Sequence, residues 1–176
     1  MKWILSLALF AVVVFGSHYV TVRAIPGFVM SKAQSMLESQ GAVQYQWVAS
    51  PRQTPQTQRI VRPSPDLSYA ICRFDVSDGP VLITAPGWDG YGSLSVFDDQ
   101  TNNVFVASLD GEDASVLLLN WREKGLKQDG LPDGEKRVFL SNSGIAVVRR
   151  LAPTDEDHAA SADLVSQAQC QQIALD

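Results

Sequence analysis

Between residues 62 and 105 (RPSPDLSYAICRFDVSDGPVLITAPGWDGYGSLSVFDDQTNNVF) apolar and polar side chains alternate with a period of two, and Pro, Gly and Asp interrupt the alternation at short intervals. That pattern belongs to half-buried strands rather than helices. Over residues 68–74 it puts Tyr69, Ile71 and Arg73 on one face and Ala70, Cys72 and Phe74 on the other. Asp78-Gly79 supplies turn chemistry before residues 80–85, and the two runs read as a hairpin. The segment Pro86-Gly87-Trp88-Asp89-Gly90 ends the second run, after which residues 91–97 alternate again, with Tyr91, Ser93, Ser95 and Phe97 opposite Leu94 and Val96. A polar loop, Asp98 to Asn103, leads to a strand over 104–109, and fainter strands are expected over 115–121, 136–140 and 144–151. Strands at this spacing predict a mainly β (α+β) domain, an antiparallel β-sandwich or barrel-like fold. Residues 161–175 carry Leu164, Ala168, Gln171 and Leu175 on one stripe, which predicts a C-terminal helix packed on the sheet.

The chain has 176 residues, 45% of them hydrophobic, enough for one domain with a sizeable core. Fourteen basic residues against nineteen acidic ones give a net charge of -5, and no Lys/Arg cluster is present to neutralise a run of phosphates. Nucleic acid is therefore not an expected partner.

Residues 3–22 (WILSLALFAVVVFGSHYVTV) contain no Asp, Glu, Lys or Arg. A helix of about 20 such residues crosses the ~30 Å hydrocarbon layer, so this segment is expected to contact the membrane as a transmembrane anchor. Lys2 before it, and Arg23 and Lys32 after it, give a small bias toward a cytoplasmic N-terminus. The competing reading is a cleaved signal peptide ending near Gly16 or Ala24, and the length of the apolar run favours the anchor. On the first reading the domain belongs to the inner membrane and faces the periplasm; on the second it is soluble there. His18, near the outer end of the span, reads as a neutral bystander. Ile25-Pro26-Gly27 is expected to break the helix, and Ser31 to cap a second, short one that runs to Gln40 and stops at Gly41. A half-buried strand over 43–48 and a Gln/Pro-rich arm over 50–58 follow. The chain thus divides into residues 1–24 (anchor or signal peptide), 25–59 (short helix and connecting arm) and 60–176 (β-rich domain).

Nucleophilic catalysis needs a nucleophile, an activating base and a group that orients the base. Beyond the apolar segment the sequence has one histidine, His158, in an acidic stretch that reads as a solvated loop, and it has no G-x-S-x-G elbow. No enzyme of the familiar serine or cysteine kinds is expected, and neither a cofactor nor a metal site. Asp98, Asp99, Asn102 and Asn103 offer oxygen ligands without the spacing of a calcium loop, and Asp at strand ends is mostly turn chemistry. Cys72 and Cys170 are the only cysteines. An even count in an exported chain favours a disulfide between them, with two free thiols as the alternative.

Arg62-Pro63, Asp66, Tyr69, Asp75-Val76-Ser77-Asp78-Gly79-Pro80, Pro86, the aromatic strand 91–98 and Thr101-Asn102 together resemble the bacterial family known as domain of unknown function 1254. The resemblance is good over residues 61–105. It extends more loosely to Val147-Val148-Arg149-Arg150 and to residues 163–175. Ser64, Leu67 and Gly90-Tyr91 depart from the family's Asn, Thr and Arg-Tyr. The resemblance implies that residues 60–176 are a domain of this type, and in length and layout the chain is similar to a short, membrane-anchored subgroup. Larger members carry a second β-rich module, domain of unknown function 1214; the resemblance implies either that the short form has lost it and acts as a self-sufficient monomer or that it meets a separately encoded partner of this kind at the membrane.

The expectation from the sequence is a membrane-anchored envelope protein of unknown biochemical activity whose β-rich domain acts as an interaction or assembly module. The alternative is a binder or processing enzyme for carbohydrate or lipid-like ligands. The residues that would line a ligand site are Arg62, Asp66, Tyr69, Trp88, Tyr91 and Asp98, because aromatic rings beside carboxylates suit sugars.

Overall fold

A computed structural model describes residues 2–54, 63–124 and 135–173 of the chain. The first element, α1, is a single helix from Lys2 to Ser39, with Pro26 inside it. The expected break at Pro26 does not occur. Proline removes one backbone donor but holds φ near the helical value, so helical residues on both sides carry the element through at the loss of one hydrogen bond. The helix closes at Gly41, whose φ of 87° suits a left-handed cap and whose N–H donates to the Glu38 carbonyl at 2.9 Å.

Among the described residues nine strands follow: β1 (Trp47–Ala49), β2 (Leu67–Asp75), β3 (Val81–Ala85), β4 (Gly92–Asp98), β5 (Asn103–Ser108), β6 (Ala114–Asn120), β7 (Lys136–Leu140), β8 (Ser143–Leu151) and β9 (Cys170–Gln172). They form two open sheets, one of order β1-β2-β8-β4-β5 and one of order β7-β6-β3-β9. The fold is thus a sandwich of two layers and not a closed barrel. Among these strands the pairings are antiparallel except that of β6 with β7.

The expected hairpin of β2 and β3 is not formed: β2 pairs with β1 and β8, whereas β3 pairs with β6 and β9 in the other layer. The turn at Asp78-Gly79 is real, with Gly79 at φ 143°, but it carries the chain across the sandwich. The apolar faces then meet: Ala70, Cys72 and Phe74 on β2 and Val81, Ile83 and Ala85 on β3 all lie in one core with Leu94, Val96, Val116, Leu118, Ala146 and Val148. Burial of such a side chain stabilises by ~1.5–3 kcal/mol, and facing layers satisfy both apolar edges at once, as a flat two-stranded hairpin cannot. Cys72 and Cys170 are joined by a disulfide that ties β2 in one sheet to β9 in the other, with Cα atoms 6.6 Å apart.

The C-terminal region differs from expectation as well. The helix α2 spans Asp155–Asp163, a short 3-10 turn covers Leu164–Gln167, and the chain then enters strand β9 instead of continuing as a helix to 175. The helix starts early because Thr154 and Asp157 form a capping box: the Thr154 hydroxyl accepts from the Asp157 N–H at 3.1 Å and the Asp157 carboxylate accepts from the Thr154 N–H at 3.2 Å. Asp155, Glu156 and Asp157 in its first turn also suit the positive end of the helix dipole. His158 therefore stands on α2 rather than in a loop. Downstream, pairing with β3 and the disulfide outweigh a helical stripe only a few residues long.

Candidate functional site

The outer face of the five-stranded sheet is built by register. One row crosses all five strands as Val48, Ile71, Val147, Ser95 and Val106; the next is Tyr69, Arg149, Ser93 and Ser108; beyond it stand Leu67 and Leu151. Tyr91 lies at the same end, its carbonyl accepting from the Leu151 N–H at 2.8 Å. Tyr91 is 55% exposed and Leu151 44%, and Val106, midway along the edge strand β5, is 61% exposed, so this end of the face and the adjoining edge offer apolar surface to their surroundings. A shallow cleft of about 490 Å³ runs beside Tyr91, Ser93, Val106, Ser108 and Asp110. The Arg149 guanidinium donates to the Ser95 hydroxyl at 3.3 Å, which places a cation near the middle of the face.

Of the residues expected to form a ligand site, Asp66, Tyr69, Trp88 and Tyr91 gather around the end of β8. The Asp66 carbonyl accepts from the Ala152 N–H at 2.8 Å, and the Trp88 indole N–H donates to the Leu151 carbonyl at 2.9 Å. The Tyr69 hydroxyl accepts from the Ser64 N–H at 3.0 Å. The polar tips of Trp88 and Tyr69 are thus engaged with the backbone. Gly92, next to Tyr91, packs so closely that a Cβ there would lie 2.9 Å from that of Leu109. Asp98 is elsewhere, at the far end of β4, about 20 Å away at strand rise. Its carboxylate accepts from the N–H groups of Gln100 and Asn102 and from the Asn102 amide, at 2.8–2.9 Å, and so organises its own loop. Arg62 lies outside the described residues. Among the described residues no group of three or more His, Cys, Asp or Glu side chains is arranged to hold a metal ion.

The opposite end of the same face receives α1. Met30 is buried, the Gln34 amide donates to the Ser143 hydroxyl at 3.1 Å, and Glu38 pairs with Arg73 at 3.3 Å. Arg73 also donates to the Ala42 carbonyl at 3.0 Å. Between the end of α1 and strands β1 and β2 lies a cavity of about 380 Å³, lined by Leu37, Ala42, Val48 and Ile71 among others.

Sequence reasoning passed over Arg149 and Arg150 as a functional pair. Two arginines in succession on a strand must point to opposite faces, so one of them had to enter the core. It is Arg150, 1% exposed, donating to the Pro86 carbonyl at 2.8 Å and the Ser161 carbonyl at 3.3 Å. Burial lowers its pKa from the ordinary value. The guanidinium caps the carboxyl end of α2 and fastens it to the β3–β4 turn, which makes it an architectural cation. The Ser161 hydroxyl, donating to that of Ser68 at 2.9 Å, completes the buried polar joint.

No curated protein matches the chain. Its fold is similar to that of the VPA0106 protein from Vibrio parahaemolyticus, with a TM-score of 0.60 at 16% identity over 86% of this chain and 37% of that one. An uncharacterized protein from Burkholderia cenocepacia aligns with a TM-score of 0.46 at 13% identity, over 91% of this chain and 42% of that one. The chain spans less than half the length of either structure. The family described as "Protein of unknown function (DUF1254)" matches residues 45–172, from just ahead of β1 to the end of β9 and well over half of the sequence, and the chain belongs to that family.

Proposed function

We propose that this chain is a membrane-anchored protein of the cell envelope, of the short DUF1254 layout, whose exported β-sandwich is a docking module for a separately encoded second β-rich module of the domain of unknown function 1214 type. The observation that carries the proposal is the exposed apolar surface of Tyr91 and Leu151 at the end of the five-stranded sheet remote from α1, with Val106 midway along the edge strand β5 beside the same cleft. Apolar surface rimmed by Arg149, Ser93 and Asp110 has the make-up of a protein interface. Three further facts support the reading. Helix α1 is long and apolar enough to span a bilayer. The disulfide fits an oxidising compartment. The matched region makes up little more than a third of the similar Vibrio protein, so further chain accompanies this fold there. Confinement of two modules to one membrane raises their effective concentration in the manner of a linker.

The test is photo-crosslinking in native membranes at natural expression, with the crosslinking residue at Tyr91 or Val106 and, as a control, at Gln171 on the other sheet. The expected outcome is an adduct containing a second β-rich module from the first two positions and not from the third. Monomer alone at all three, with a crosslinker proven on a known complex, refutes docking. Binding of a carbohydrate or lipid-like ligand is the second reading, favoured by the Tyr91 ring and the Asp110 carboxylate beside the same cleft. A saturable ligand that blocks labelling at Val106 without any protein adduct would establish it instead.

A further inference from the structure

We infer that the sandwich stands directly on the bilayer, with the loop between β4 and β5 at lipid headgroup level and the Ile25–Phe28–Val29 side of α1 seated in the lipid interface. This rests on the anchor reading and adds to it an orientation and a second, lateral contact with lipid. The starting point is that α1 has no break between the apolar span and the domain. From Gly27 onward one side of the helix is fastened to the sandwich. Met30 is 3% exposed, Gln34 and Glu38 bond to Ser143 and Arg73, and Gly27 faces the Gln100 side chain so closely that a Cβ there would lie 2.9 Å from its amide nitrogen. At 1.5 Å per residue Gly27 is only ~8 Å along the axis beyond Val22, where the uncharged run ends. The headgroup layer is itself ~5–8 Å thick on each side of the hydrocarbon. Whatever touches Gly27 is therefore at the membrane surface, and that is the β4–β5 loop.

The side of the helix turned away from the sandwich has the matching chemistry. Ile25, Phe28 and Val29 are 52%, 64% and 50% exposed, and they recur at the i, i+3, i+4 spacing of one helical face. The next position of that face is Lys32, whose ammonium lies 5.9 Å from the Phe28 ring centroid; on the other side of the helix, one turn before Gly27, the Arg23 guanidinium lies 5.1 Å from the Tyr19 ring centroid. Rings and aliphatic chains under long cationic side chains are what a helix presents to an interface containing anionic lipid. The stripe is continuous with the spanning segment, so the lipid that surrounds residues 3–22 is its occupant. The Tyr91 and Leu151 end then points away from the bilayer, up to about 20 Å further out, the length of β4.

The full chain, reconstituted into phosphatidylcholine vesicles with phosphatidylglycerol, tests the inference. Because both native cysteines are bridged, one engineered thiol at Phe28, Gln100, Thr101 or Tyr91 takes an environment-sensitive fluorophore alone. The quencher is a lipid spin-labelled at its headgroup. Emission is expected to fall about two-fold or more at positions 28, 100 and 101 and to stay nearly constant at 91, the contrast that burial in an interface produces. In chain that resists carbonate extraction, quenching at 100 and 101 no greater than at 91 overturns the orientation and leaves the anchor standing. Chain that carbonate removes, with position 28 unquenched, overturns both.

Discussion

Replacing both cysteines, Cys72→Ala with Cys170→Ala, removes the covalent tie between the two sheets. The bridge closes a loop with a sequence separation of 98 residues. Loop-closure entropy for a ring of that size restrains the unfolded chain by about 4.7 kcal/mol at 25 °C, the largest stabilisation a single bridge in this domain can deliver through that route. Cys72 is fully buried and Cys170 is 5% exposed, so the lost sulfur atoms also leave space in the core. Against the usual 5–15 kcal/mol of a folded domain, the double variant is expected to retain native structure but with little margin. Urea titration of the full chain in detergent, followed through the tryptophans of the domain, should place the midpoint roughly 2 M lower than in the parent at a typical slope of ~2 kcal/mol per M. The strand to loosen first is β9, three residues long at the sheet edge. Hydrogen exchange at Ile173, which donates to the Pro80 carbonyl at 2.8 Å, should accelerate before exchange in β8 does. A midpoint shift equivalent to less than about 1 kcal/mol would refute the argument that the bridge acts through the unfolded chain.

Three further outcomes are expected. Gly144→Ala should cost about 3 kcal/mol in the same titration, since a Cβ at that position would overlap the Phe97 carbonyl and the Phe74 ring, neither of which has room to retreat. Thr101→Gly should raise stability by about 1 kcal/mol, because Thr101 holds φ at 64° in a turn where a β-branched residue is strained and glycine is not; an unchanged midpoint would show that the turn relaxes around threonine. The third concerns Tyr45, whose hydroxyl donates to the Asp75 carbonyl at 2.9 Å. Burial first, and then the charges of Asp75 and Asp78, raise its pKa above the ordinary 10.0. The folded state thus holds the phenolic proton more tightly than the unfolded one. This contribution to stability is complete below pH 10 and is lost as pH climbs through the raised value, and Tyr45→Phe should remove that alkaline decline.

Much of the sandwich could be read in the residues themselves. The alternation over 68–74 assigned Ala70, Cys72 and Phe74 to one face, and that face is the buried one. Turns at Asp78-Gly79 and Asp110-Gly111 appear with glycine at positive φ, as the chemistry of those dipeptides requires. The candidate ligand residues were legible only in part. Asp66, Trp88 and Tyr91 come together because the start of β2 and the end of β8 meet the start of β4, while Asp98 belongs to a loop at the other end. Nothing in the linear order distinguishes those two ends, since Tyr91 and Asp98 open and close the same strand-like run.

The sequence by itself determined the strand faces, the apolar span, the single pair of cysteines and the family signature, all of which depend on residue type and on spacing within one element. Tertiary structure alone decided three other things: that β2 and β3 part company into separate layers, that residues 170–172 extend as a strand, and that Arg150 is buried at the end of α2. In each case a weak local preference meets a contact between residues far apart in the chain. A hairpin turn or a short helical stripe shifts the balance by about 1–3 kcal/mol, whereas facing layers of buried Val, Leu and Phe contribute that much per side chain and many times over.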